Sequence, residues 1–184
     1  MHARLIDGIV CIGGEDWWYH NRGHYDFQIM QRLAKRMPVL FVNSLGVRMP
    51  SVGKGSHFLD RIDRKLKSLA RGLTHVHDQF WVMSPVSAPG SVGQALTQWA
   101  LAPQIRLAAH RIGIRQPLLW VHCPPGADLI DKLPHEALVF QRTDRFEAFP
   151  DGNRRELQRQ VSLARSRADL VVYCAQTLMK ADGG

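Results

Sequence analysis

Short apolar runs alternate along this chain with longer stretches in which apolar residues recur every three or four positions. The first run, residues 8–14 (GIVCIGG), is partly β-branched and closes on two glycines, which predicts a buried strand meeting a tight loop. Residues 15–24 (EDWWYHNRGH) form a polar and aromatic loop. Over 25–36, Phe27, Ile29, Met30, Leu33 and Ala34 have helical spacing. Asp26 sits in the first turn and Lys35 and Arg36 in the last, which suits the helix dipole, and Pro38 stops the helix. Residues 39–42 (VLFV) predict the next strand. Strand, loop, helix and strand in this order make a βαβ unit, with a parallel sheet and a right-handed crossover.

The alternation continues. A Gly/Pro/Ser-rich loop over 45–55 leads to an amphipathic helix over 56–72, with Ser56 as N-cap and Gly72 just past its end. The stretch 74–84 alternates and holds a strand, expected around 80–83, and further strands are expected over 117–122, 137–141 and 169–173. Helices are expected over 91–112, bent or interrupted near Pro103, and over 151–167. A last helix starts at 176 and is stopped at once by Gly183 and Gly184. Strands alternating with helices throughout predict a doubly wound α/β domain. The short last helix makes the chain look like one lobe of a larger enzyme.

Composition narrows the class. The chain has 184 residues, the size of one domain or lobe. At 45% hydrophobic it is too apolar for a disordered chain, yet no run reaches the ~18–20 residues of a membrane span. The first residues lack the pattern of a signal peptide, and no long period repeats. Cys11, Cys123 and Cys174 are odd in number and far apart, which is no disulfide framework and fits a reducing cytoplasm. A net charge of +8 favours an anionic partner: nucleic acid, an acidic membrane face or a phosphorylated ligand.

In open α/β sheets ligands sit beyond the carboxyl ends of the strands. That rim should gather Gly13, Gly14, Glu15, Asp16 and Trp17 after the first strand, Asn43 and Ser44 after the second, and Ser84 after the third. His122 and Cys123 follow the next strand, and Arg142, Asp144 and Arg145 the one after. The Gly13–Gly14 pair lacks the third glycine of a dinucleotide fingerprint; it is either a tight turn or a close approach for a phosphate or sugar. Trp17 and Tyr19 offer aromatic faces for a sugar ring or lipid, or else pack within the loop. His122 is a candidate general base, or a buried structural histidine. Asp144 stands between Arg142 and Arg145, which favours its ionised form for positioning a hydroxyl, or makes a plain ion-pair network. His20 with His24, and His75 with His77, have metal-like spacing, but nothing completes a ligand set, so no metal is expected. The basic stretch 54–71 carries Arg61, Arg64, Lys65 and Lys67 and could lie on anionic lipid.

Several stretches carry a family resemblance: GIVCIGGEDWWYHNRGHYDFQIMQRLAKRMPVLFVN, PLLWVHCPP, ALVFQRTDRFEAFP and RADLVVYCAQTLM. Their order resembles the N-terminal, Rossmann-like lobe of bacterial glycosyltransferases of the GT-B fold, over nearly the whole chain. The resemblance implies transfer of a sugar from a nucleotide-sugar donor to a cell-surface polysaccharide or lipid-linked acceptor, at the cytoplasmic side of the membrane. It implies no cofactor beyond the donor and no metal. It makes 1–184 the acceptor-side lobe, with the nucleotide-sugar lobe absent from this sequence and the chain alone inactive. Cys174 departs from the family, where many relatives carry Ser. On this reading His122 and Asp144 orient or deprotonate the acceptor. Gly13, Gly14, Glu15, Trp17, Tyr19 and Arg145 contact substrate.

Two rivals stand beside it. One is a non-catalytic basic α/β module for an anionic surface or nucleic acid; Lys and Arg are scattered and no nucleic-acid motif occurs, so no nucleic acid is expected. The other is a nicotinamide-dinucleotide protein, weakened by the missing glycine and by Asn43 and Ser44 where an acid should follow the second strand.

Overall fold

The structure, a computed structural model, describes residues 5–19, 23–44, 72–85, 91–149 and 153–183, with side chains from 99 onward in the segment that begins at 91. The loop and helix expected over 45–71, including the basic stretch, lie outside the described residues.

Among the described residues seven strands form one sheet: β1 (Gly8–Ile12), β2 (Val39–Val42), β3 (Leu73–His77), β4 (Phe80–Met83), β5 (Pro117–Val121), β6 (Ala137–Arg142) and β7 (Leu170–Tyr173). Their order is β3-β4-β2-β1-β5-β6-β7. Every pair is parallel except β3 with β4. The helices are α1 (Tyr25–Leu33), α2 (Ser91–Arg111), α3 (Arg154–Arg167) and α4 (Gln176–Ala181), with 3-10 segments at Pro124–Lys132 and Phe146–Ala148. This is a doubly wound, Rossmann-like α/β lobe, as the alternation predicts.

Each face of the sheet buries its own core. The period of two sends Ile9, Cys11, Phe41 and Phe80 to one side, where Phe27, Met30 and Ala34 of α1 cover them. Val10, Ile12, Leu40 and Phe140 point to the other side, under α2, the Pro124–Lys132 segment and α3. Strands buried on both faces read as unbroken apolar runs, which is why β1 and β2 are legible in sequence.

Three features depart from expectation. β3 makes an antiparallel hairpin with β4 through Asp78, whose φ of 45° is one an aspartate tolerates. Its sequence, LTHVH, is half-exposed, and the alternating stretch expected to hold one strand holds two. Second, α2 runs unbroken through Pro103, which faces solvent and costs only a backbone donor there. Third, the stretch between β5 and β6, for which the sequence suggests no element, coils into a 3-10 segment over Pro124–Lys132.

Candidate functional site

Strand order reverses between β1 and β5: the chain winds outward through β2 and β4, then returns to β5 and winds the other way. Loops leaving these two strands part at their carboxyl ends, and the crevice between them is where such sheets hold ligands.

Gly13, Gly14 and Glu15 leave β1 here, and His122 and Cys123 leave β5 beside them. The His122 N–H donates to Ile12 O at 3.0 Å, and the Cys123 thiol donates to Gly13 O at 3.4 Å. The two glycines differ in role. A Cβ at Gly13 falls 2.3 Å from the Phe41 ring and 2.9 Å from Val42 O, so Gly13 is demanded by packing. A Cβ at Gly14 meets only the Cβ of Cys123, at 4.0 Å, so its backbone stands open.

His122 is 2% exposed, and neither ring nitrogen has a hydrogen-bond partner among the described residues. Its ring stacks on Trp120 at 6.2 Å between centroids. Burial pushes its pKa down to about 3, so the imidazole is neutral at physiological pH. A buried polar ring without partners is costly and marks the place where a further group could bind.

Asp26, in the first turn of α1, completes the crevice. It is 7% exposed and within electrostatic reach of Glu15, His24 and Cys123. Burial raises its pKa above the usual aspartate range; the N–H of Phe27, donating at 2.9 Å, and the His24 ring oppose that, while Glu15 reinforces it. Burial likewise pushes the Cys123 thiol up to about 12, leaving it protonated and unsuited to nucleophilic chemistry. A carboxyl with a raised pKa in a strand-end crevice is suited to taking a proton. In sequence Asp26 looks like a helix-dipole residue; only its burial beside β1 and β5 reveals the other use.

The remaining residues divide. Trp17 corrects the expectation of an aromatic platform: it is 1% exposed, edge-to-face with Phe27 at 5.1 Å and 4.9 Å from Phe80, with no ring face left for a ligand. Tyr19 is half-buried in a turn closed by its N–H on Asp16 O at 3.2 Å. Asp144 and Arg145 lie exposed on the loop after β6. The expected cation pair around Asp144 does not form with Arg142, whose buried guanidinium donates to Glu147 at 2.7 Å and Asp182 at 3.1 Å. It meets only the backbone oxygen of Asp144, at 2.6 Å. Burial, the largest single influence, would raise the Glu147 pKa, but the Arg142 hydrogen bond, the residue's own backbone N–H and the Arg142 charge together outweigh it and the pKa falls.

Among the described residues no three His, Cys, Asp or Glu side chains group as a metal set, and no helix is long and apolar enough to cross a membrane. No family model matches the chain, and no curated protein matches it.

Proposed function

We propose that this chain is the acceptor-side lobe of a GT-B glycosyltransferase, which moves a sugar from a nucleotide-sugar to a polysaccharide or lipid-linked acceptor. The observation that carries this reading is the crevice at the reversal point, where an open glycine backbone, a buried carboxyl and an unpartnered histidine meet. In the reaction the acceptor hydroxyl oxygen bonds to the anomeric carbon of the donor sugar. The bond from that carbon to the diphosphate oxygen breaks, and the nucleoside diphosphate leaves with the electron pair. The hydroxyl proton passes to a base. Asp26 suits that base, neutral His122 positions the hydroxyl, and Asp144 and Arg145 border the acceptor. Gly14, Glu15 and Tyr19 line the approach. A second α/β lobe holds the donor.

A peripheral contact with anionic lipid is part of the proposal. α2 turns Trp99, 83% exposed, and Leu107, 53% exposed, to solvent together with Arg106 and Arg111. No Asp or Glu occurs between Asp78 and Asp128. Exposed aromatic and basic groups on one helix suit a negatively charged membrane surface.

The test is a transfer assay on the complete product of the reading frame, with labelled UDP- and GDP-sugars and membrane extracts as acceptor. Asp26→Asn should lower kcat by roughly 10²-fold, the scale of a lost positioned proton-transfer group, while His122→Ala and Asp144→Asn lower it by smaller factors, with His75→Ala as the neutral control. Absence of transfer with any sugar nucleotide, or full turnover by all three variants, rejects this reading.

A further inference from the structure

At the opposite end of the sheet from the crevice, a cavity of about 170 Å³ opens between the last turns of α2, the start of β5 and Pro134. Its floor is apolar: Val10, Ile105, Ala109, Ile114, Leu119 and Leu133. The floor owes its shape partly to Gly8, since a Cβ there would fall 2.6 Å from the Ile114 side chain and drive it into the space. The rim carries two guanidinium groups, those of Arg106 and Arg115, together with the His110 ring. Arg106 makes no ion pair among the described residues, and the Arg115 guanidinium leans on the His110 ring instead of on an acid. Asp7 also lies at this end of the sheet, where its carboxylate accepts the backbone N–H groups of Arg115 at 2.8 Å and Gln116 at 2.9 Å.

We propose that this cavity binds a small monocarboxylate with an aromatic or branched apolar body. The volume matches: an engineered apolar cavity of ~150 Å³ admits a benzene ring. The charge matches as well, because a carboxylate at the mouth meets guanidinium groups whose planar forks suit it, while its body leaves water for the apolar floor. The site is independent of the proposed function. An occupant would sit at the amino ends of β1 and β5 and would not compete for the crevice at their carboxyl ends.

Benzoate is the probe, with benzyl alcohol as a neutral ring of equal size and acetate as a charge without a body. Binding is read by calorimetry and by saturation-transfer NMR on the 184-residue chain. Benzoate should bind at least about tenfold more tightly than benzyl alcohol, the scale of one charge-assisted contact. Acetate should show no saturable binding. Ala109→Leu fills the cavity and should abolish binding of both rings. The double variant Arg106→Gln/Arg115→Gln, at the exposed rim where folding is not at stake, should bring benzoate down to the level of benzyl alcohol. Circular dichroism confirms that each variant folds. The proposal is overturned by no saturable benzoate binding to the unmodified chain, or by equal benzoate and benzyl alcohol affinities. Benzoate affinity unchanged in the folded double variant overturns it too.

Discussion

The side-chain oxygen of Asn43, at the end of β2, accepts the backbone N–H of Trp17 at 3.0 Å. The same amide donates to Ser84 Oγ at 2.9 Å and to Asp16 Oδ1 at 3.4 Å. One fully buried side chain thus ties the loop after β1 to the ends of β2 and β4 and seats Trp17 in the core. Asn43→Ala should destabilise the fold by roughly 2–3 kcal/mol, because buried partners lose their hydrogen bonds together. Asn43→Asp should cost at least as much, since it removes both donors and sets a second carboxylate beside Asp16. Urea unfolding measures both, and an alanine variant as stable as the parent would show that the tie is dispensable.

The two glycines of the first loop should separate stability from binding. Gly13→Ala should cost about 1–3 kcal/mol through overpacking against Phe41 and the β2 backbone. Gly14→Ala meets open space and should leave the melting temperature within a degree or two, about the effect of a small surface change. If the Gly14 backbone receives a ligand, the proposed sugar transfer falls in Gly14→Ala while its melting temperature holds. Equal melting of the two variants would contradict the difference in packing.

Acid stability should carry the mark of His122. An unfolded histidine takes its proton near pH 6.5, while the folded one holds out to about pH 3. Between these values the unfolded chain binds the extra proton, so stability is full above pH 6.5 and falls as pH drops below it. The slope from this group approaches about 1.4 kcal/mol per pH unit. Asp26 works the other way: its raised folded pKa relieves a destabilising buried charge as pH falls through it. His122→Phe should therefore flatten the loss of stability below pH 6.5, and Asp26→Asn should steepen it while stabilising the protein at pH 7. Urea titrations at several pH values would reveal both changes. Parallel curves for parent and His122→Phe would mean that His122 protonates freely in the fold.

Arg142 joins β6 to the 3-10 turn at Glu147 and to Asp182 at the end of α4, where Arg165 also lies 3.7 Å from the same carboxylate. Arg142→Ala should cost about 3–5 kcal/mol, as for a broken buried ion pair, because both carboxylates lose their fork. Arg142→Lys should recover only part of this, since a single ammonium cannot serve both acids. The cycle with Asp182→Asn should show coupling of about 0.5–3 kcal/mol in chemical denaturation. Additive effects would mean that the pair carries no shared energy.

The sequence by itself determined the elements that are apolar on both sides. β1, β2, β5 and β6 are short β-branched or leucine-rich runs ended by Gly, Asn, His or Thr, and α1 shows its stripe at Phe27, Met30 and Ala34, because burial on a sheet or under a helix leaves a period in the chain. That alternation of strand and helix also implied a doubly wound sheet with its polar residues on one rim. Tertiary structure alone decided which rim residues meet. Trp17 looks like a ligand platform until Asn43 and Phe27 draw it inward. Arg142 looks like a partner of Asp144 until Asp182, forty residues away, takes its guanidinium. Asp26 acquires its raised pKa from burial against β1 and β5, strands that pair only through a contact spanning more than a hundred residues. The alternation over 74–84 marks a strand but not that Asp78 folds the stretch back into two, because the pairing of β3 with β4 is decided by the turn between them. Local pattern records what each segment buries; which charges and rings face one another depends on non-local contacts, which no local period encodes.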